Sequence, residues 1–246
     1  MRHESRVNFR FHTFLVVITF SHLAFSSYFN PFQKQKKPLV ISSLQRFKNS
    51  IKGDSLKQMV PIELVDSSIV VDLKYASANN FTGEELYYKP TAFLRRSAAL
   101  LLKKVNQELA LSGLKIKVFD VYRPWSVTKR MWNLVHDERY AANPAKGSGH
   151  NRGAALDVTI VKLSSNEELP MPTAFDDFTE KAHHNYNALP ADIIANRALL
   201  RKTMENYGFV ALETEWWHYS LPNASSKYEL LDLEFSKLKK VFYEKN

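Results

Sequence analysis

The 246-residue chain has no cysteine. That absence excludes disulfides, thiolate metal sites, cysteine nucleophiles and lipid anchoring through an N-terminal cysteine. An exported form would therefore draw its stability from packing and from any bound metal. Glycine is scarce, with seven in all, so the grouping of Gly147, Gly149 and Gly153 marks a place where the backbone bends. The net charge of +9 is spread along the chain. There is no long basic arm and no stacking-aromatic motif, which argues against a nucleic-acid partner. Internal repeats are absent as well. The apolar run 11–25 is short and is interrupted by His12, Thr13, Thr19, Ser21 and His22, so the mature form is expected to hold no stable membrane span.

Arg2, His3, Arg6 and Arg10 precede that run, and Ala24-Phe25-Ser26 offers small residues at the two positions a signal peptidase reads. Residues 1–26 thus read as a signal peptide, or as an N-terminal anchor if uncleaved, and export to the periplasm is expected. Residues 27–59 are rich in Lys, Gln and Ser and read as a linker or lead-in. The folded domain is placed at 60–246. Within it, residue types and spacing predict strands over 68–75, 114–121 and 154–163 and helices over 91–111, 126–140 and 191–207. A hairpin from Phe209 then presents Glu215 and His218, and the tail 225–246 is part-helical. This order is not a βαβ alternation. It predicts a single α+β domain, with a central, mainly antiparallel sheet and helices packed against it.

Two stretches carry the chemistry. One is Gly147-Ser148-Gly149-His150-Asn151-Arg152-Gly153-Ala154-Ala155-Leu156-Asp157; the other is Glu213-Thr214-Glu215-Trp216-Trp217-His218-Tyr219. His150, Asp157 and His218 are the ligand types of a catalytic metal shell with three protein ligands and a fourth position for water. Glu215 is the type of residue that takes the water's proton. Positions seven apart point to opposite faces of a regular strand, so His150 must lie in the glycine turn ahead of the strand to meet Asp157. By the same reasoning Glu215 must lie at the mouth of the strand that carries His218. Singly, each is an ordinary histidine or acid. His183 and His184, adjacent in a loop, read as surface residues.

The pattern Ser-x-His-x-x-Gly-x-Ala-x-Asp, followed later by Glu-x-Trp-His, resembles the signature of the VanX-type D-alanyl-D-alanine dipeptidases. These are zinc enzymes related to the D,D-carboxypeptidases of cell-wall metabolism. Three further strings are similar to that family: Leu73-Lys74-Tyr75-Ala76 leading to Asn80-Phe81-Thr82-Gly83, Tyr122-Arg123-Pro124, and Met171-Pro172-Thr173-Ala174-Phe175-Asp176. In the last, Pro172 stands where glycine is usual.

The resemblance implies one Zn2+ ion on His150, Asp157 and His218, with Glu215 as general base. It implies that Arg123 stabilises the charge on the carbonyl oxygen, work that suits a permanently charged, fork-shaped donor. Tyr75 would help to close the substrate pocket, Asp176 would recognise the free amino group, and Ser148 would contact the substrate, a small dipeptide. Two rival functions share the motif: a D,D- or L,D-carboxypeptidase acting on peptidoglycan stem peptides, and a zinc-containing binding module without catalysis. Retention of both Glu215 and Arg123 argues against the module. Nothing in the sequence selects an oligomeric state.

Overall fold

A computed structural model describes residues 38–243, all within one unit, Lys36–Asn246. The chain begins with β1 (Val40–Ile41), α1 (Leu44–Ser50), β2 (Met59–Pro61), α2 (Ile62–Val65), β3 (Val70–Val71) and β4 (Phe93–Arg95). It continues through α3 (Arg96–Ala110), β5 (Leu114–Asp120), α4 (Trp125–Val135), β6 (Ala155–Lys162) and α5 (Ala191–Asn206). It ends with β7 (Val210–Leu212), β8 (Glu215–Ser220), α6 (Ala224–Lys227), β9 (Leu230–Leu231) and α7 (Phe235–Tyr243). The central sheet has the order β3-β5-β6-β8-β7 and is antiparallel except at β3–β5. The α+β architecture expected from the sequence is the one observed.

β6 is the hub of this sheet, and Ala155 to Val161 are all buried. Leu156, Val158 and Ile160 join Leu102 and Val105 of α3 and Leu200 and Met204 of α5 in one core. The opposite face carries Asp157, and Phe175 and Phe178 of the long loop after β6 pack on the same core. Burial on both faces explains why this strand reads as a nearly continuous apolar run rather than a strict alternation. A second core gathers Phe47 and Ile51, Met131 of α4 and Leu238 and Val241 of α7 around Tyr75, Tyr87 and Tyr122.

The elements depart from the sequence reading in four places. Residues 40–51 belong to the folded unit rather than to a linker: β1 pairs with β9, and Phe47 and Ile51 are buried. Their helical spacing from Leu44 is hidden in a Lys- and Ser-rich stretch. The strand read over 68–75 narrows to β3, after which the chain turns through Lys74–Ala76. Phe93 and Leu94 fit a helical period but lie on β4, which pairs with β2. The helix read to residue 140 ends at Val135, where His136 takes a left-handed conformation with φ 45°. The leader segment 1–26 lies outside the described residues. Among the described residues, no helix is long and apolar enough to cross a membrane.

His184 also corrects its expectation as a surface residue. It is buried, its ring lies 6.2 Å from that of Tyr219, and its Nε2 has no hydrogen-bond partner among the described residues. Burial, with the Arg201 charge adding to it, lowers its pKa to about 4. Between that value and its ordinary 6.5 the unfolded chain binds a proton that the folded chain refuses. Stability is therefore lost as pH falls through this window. Equilibrium urea unfolding across pH 4 to 6.5 should show His184→Phe with a flatter profile than the natural chain. The expected difference is on the order of 1–2 kcal/mol after allowance for solvent screening; parallel profiles would refute this.

Candidate metal centre and substrate cleft

Backbone register sets the site. β5 and β6 pair regularly from Leu114↔Lys162 to Val118↔Val158, and the next pair is Asp120↔Asp157. Phe119 is thus an extra residue, a bulge without which it would itself stand opposite Asp157. β6 and β8 then pair Asp157↔His218. One row across three strands therefore presents Asp120, Asp157 and His218 on a single face, because directly paired residues point the same way. A second irregularity completes the cleft. On β8, Ala211↔Tyr219 is followed by Leu212↔Glu215, leaving Trp216, Trp217 and His218 without counterparts on β7. This break lets Glu215 and His218 line one cleft, although three residues apart on a regular strand they would face opposite ways.

His150 occupies a 3₁₀ turn, His150–Arg152, just ahead of β6, as the spacing required. The turn is tight enough that a Cβ on Gly149 would come within 2.7 Å of the Ala155 Cβ, and Gly153 ends it at φ 65°. Asn151, fully buried, staples the turn to its neighbours. Its Nδ2 donates to the Arg123 carbonyl (2.9 Å) and to Thr128 Oγ1 (2.7 Å), and its Oδ1 accepts from the Ser148 N–H at 3.0 Å.

The three candidate ligands offer atoms that all lie within 4.8 Å of one another. His218 Nδ1 is 2.9 Å from Asp157 Oδ1 and 3.3 Å from His150 Nε2. His150 Nε2 is in turn 3.4 Å from Asp157 Oδ2. His150 Nδ1 sits 2.7 Å from the Val121 carbonyl. A carbonyl can only accept, so Nδ1 carries the hydrogen and the Nε2 lone pair faces the other two ligands, the usual arrangement of a metal-binding histidine. Two imidazoles and a carboxylate around one point match the N/O donor set that holds zinc. Burial opposes ionisation of Asp157, but His150 and His218 outweigh it and hold the carboxyl below the usual range.

All eight residues singled out from the sequence line one cleft of about 210 Å³, with Trp217 among its other walls. Glu215 is the first residue of β8, and burial raises its carboxyl above the ordinary range despite His218 nearby. Arg123 follows β5 and is buried. Its Nε and Nη2 donate to Asp120 Oδ2 at 3.0 and 2.6 Å, and its guanidinium lies 5.0 Å over the Tyr75 ring. Burial works against that charge, but Asp120 keeps the guanidinium well above its ordinary pKa. Tyr75 donates its hydroxyl to both Asp176 oxygens, at 3.1 and 3.0 Å. Asp176 takes a left-handed φ of 62°. Burial, reinforced by the negative Asp157, raises its pKa well above the carboxylate norm. Ser148 Oγ accepts from the Asn151 N–H at 3.2 Å.

Sequence reasoning missed Asp120, Tyr87 and Asn151. Asp120 stands three residues before Arg123 and two before the Tyr-Arg-Pro string, but its pairing opposite Asp157 depends on a bulge that no spacing rule announces. Asn151 lies inside the glycine motif, between the residues that drew attention to it.

The sequence matches the family model described as D-ala-D-ala dipeptidase over residues 55–240. It is 36% identical to a D-alanyl-D-alanine dipeptidase of Escherichia coli (strain K12) over 179 residues, covering 71% of this chain and 92% of that one. It is 33% identical to a D-alanyl-D-alanine dipeptidase of Enterococcus faecium over 172 residues, covering 61% of this chain and 84% of that one. A solved structure, that of the LdcB LD-carboxypeptidase, aligns with a TM-score of 0.37 and 20% identity over 55% of this chain and 62% of that one. With the family model matched from residue 55 to residue 240, the chain belongs to the D-ala-D-ala dipeptidase family of peptidases.

Proposed function

We propose that this chain hydrolyses the dipeptide D-Ala-D-Ala to free D-alanine, with one zinc ion held by His150, Asp157 and His218. The observation that carries this reading is the convergence of those three ligands within 4.8 Å, in a cleft shared with Glu215 and Arg123. When bound, the ion supplies a lowered pKa for water and polarisation of the scissile carbonyl.

The remaining work belongs to the protein. The Glu215 carboxylate takes a proton from the attacking water and passes it to the leaving amine. Arg123, held charged, donates N–H groups to the carbonyl oxygen as negative charge builds on it. Asp176 and Tyr75 meet the substrate's ammonium. A carboxyl that burial holds against ionisation regains its charge when a cation arrives beside it, so a free amino group is favoured at that end. Ser148 Oγ accepts from Asn151, which leaves its O–H proton for a substrate oxygen. The cleft, about 210 Å³ in volume, has room for a substrate as small as a dipeptide. Basic residues ahead of the apolar run 11–25 support export to the periplasm.

Two measurements test this. In Glu215→Ala, zinc content should stay at one ion per chain while dipeptide turnover falls by about 10²–10⁴-fold, the range of general acid–base catalysis. Unchanged turnover would remove Glu215 from the mechanism. Offered D-Ala-D-Ala and a stem pentapeptide ending in D-Ala-D-Ala, the protein should cleave the dipeptide and leave the pentapeptide intact. The reverse preference would favour a carboxypeptidase.

A further inference from the structure

One buried carboxylate in the site has no part in the scheme above. Asp120 closes β5, is fully buried, and stands directly opposite Asp157. Taking a carboxylate out of water costs several kcal/mol unless its lone pairs find donors. Here they do, in an unequal division. Oδ1 accepts the Tyr87 hydroxyl at 2.6 Å. Oδ2 accepts both Nε and Nη2 of Arg123, and the same oxygen lies 3.5 Å from His150 Nδ1. Tyr87 is itself locked, buried with its ring 5.7 Å from that of Tyr75 and 5.3 Å from that of Phe235.

This division matters for orientation. An ion pair that only tied β5 to the start of α4 would need no third partner and no burial. With Tyr87 on one oxygen, the carboxyl plane cannot rotate, so the other oxygen is a fixed point for the guanidinium. Arginine's long side chain has many rotamers to lose, and catalysis by a charged donor depends on its being aimed before the charge develops. Two of its five N–H groups bind that fixed oxygen, and the guanidinium that keeps the other three belongs to a residue lining the cleft.

We propose that Asp120 is a positioning residue for hydrolysis: held by Tyr87, it aims the Arg123 guanidinium at the substrate carbonyl. The proposal rests on the dipeptidase reading of the site and assigns Asp120 and Tyr87 no contact with substrate.

The test is a kinetic one on the zinc-loaded full chain, with kcat and KM for D-Ala-D-Ala measured beside zinc content and melting temperature. Asp120→Asn keeps the shape and removes the charge and one acceptor oxygen. It should lower kcat by about 10–100-fold with KM within about twofold, the signature of an interaction made only in the transition state. Tyr87→Phe, which keeps the ring, should lower kcat by about threefold or more, again with KM held. Placed on Arg123→Lys, either change should add little further loss, because residues acting through one another are not additive. A merely structural role would shift the melting temperature and leave this kcat–KM split and this non-additivity unmoved. Unchanged kcat in both variants, or losses that multiply in the double variants, overturns the proposal. Should Asp120→Asn fail to fold, Tyr87→Phe and its double variant decide alone. A natural chain inert on D-Ala-D-Ala would defeat the dipeptidase reading, whereas an active chain indifferent to both changes would defeat only this inference.

Discussion

The row Asp120–Asp157–His218 is aligned by backbone hydrogen bonds between β5, β6 and β8, and the rest of the site is arranged around it. Two carboxylates side by side on a buried sheet face repel each other and lose their water, a combination that unpaired would be severely destabilising. Asp120 is answered from outside the row, and Asp157 by His218 within it and His150 outside it. Arg123 and Tyr87 satisfy Asp120, and the two imidazoles meet Asp157. The bulge at Phe119 decides which residue stands beside Asp157, so the chemistry of the cleft depends on one extra residue in a strand.

Opposing charges are divided along the cleft in a way that fits its proposed work. Asp157, Asp176 and Glu215 are the acids in its interior, with Glu138 exposed at its edge, and Arg123 is its buried cation beside the exposed Arg139. Asp157 is held ionised by its imidazole neighbours, whereas burial drives Glu215 and Asp176 the other way. Acids pushed to opposite sides of their ordinary range by their surroundings are a recurring mark of divided acid–base roles. A carboxylate that is charged at rest suits a ligand, and one that readily exchanges a proton suits a base.

Much of this was legible in the sequence, for identifiable reasons. The glycine spacing around His150 required a turn before the strand, and the turn is there. The α+β class followed from the order of elements, and all eight residues singled out share one cleft. What stayed hidden depends on register and burial. The helical spacing of Leu44, Phe47 and Ile51 was masked by the polar residues between them, so a packed helix read as a lead-in. Phe93 and Leu94 satisfy a helical period and a strand equally well, and pairing with β2 decides between them. Asp120 escaped notice because nothing local separates a strand-end acid that faces a metal site from one that faces water.

Anomalous scattering at the zinc edge, from crystals of the metal-loaded protein, tests the central geometry most directly. One peak is expected, in contact with His150 Nε2, a carboxylate oxygen of Asp157 and His218 Nδ1, in the cleft that Glu215 and Arg123 line. A zinc ion bound elsewhere, or held without one of those three residues, would contradict the hydrolytic site described for this chain.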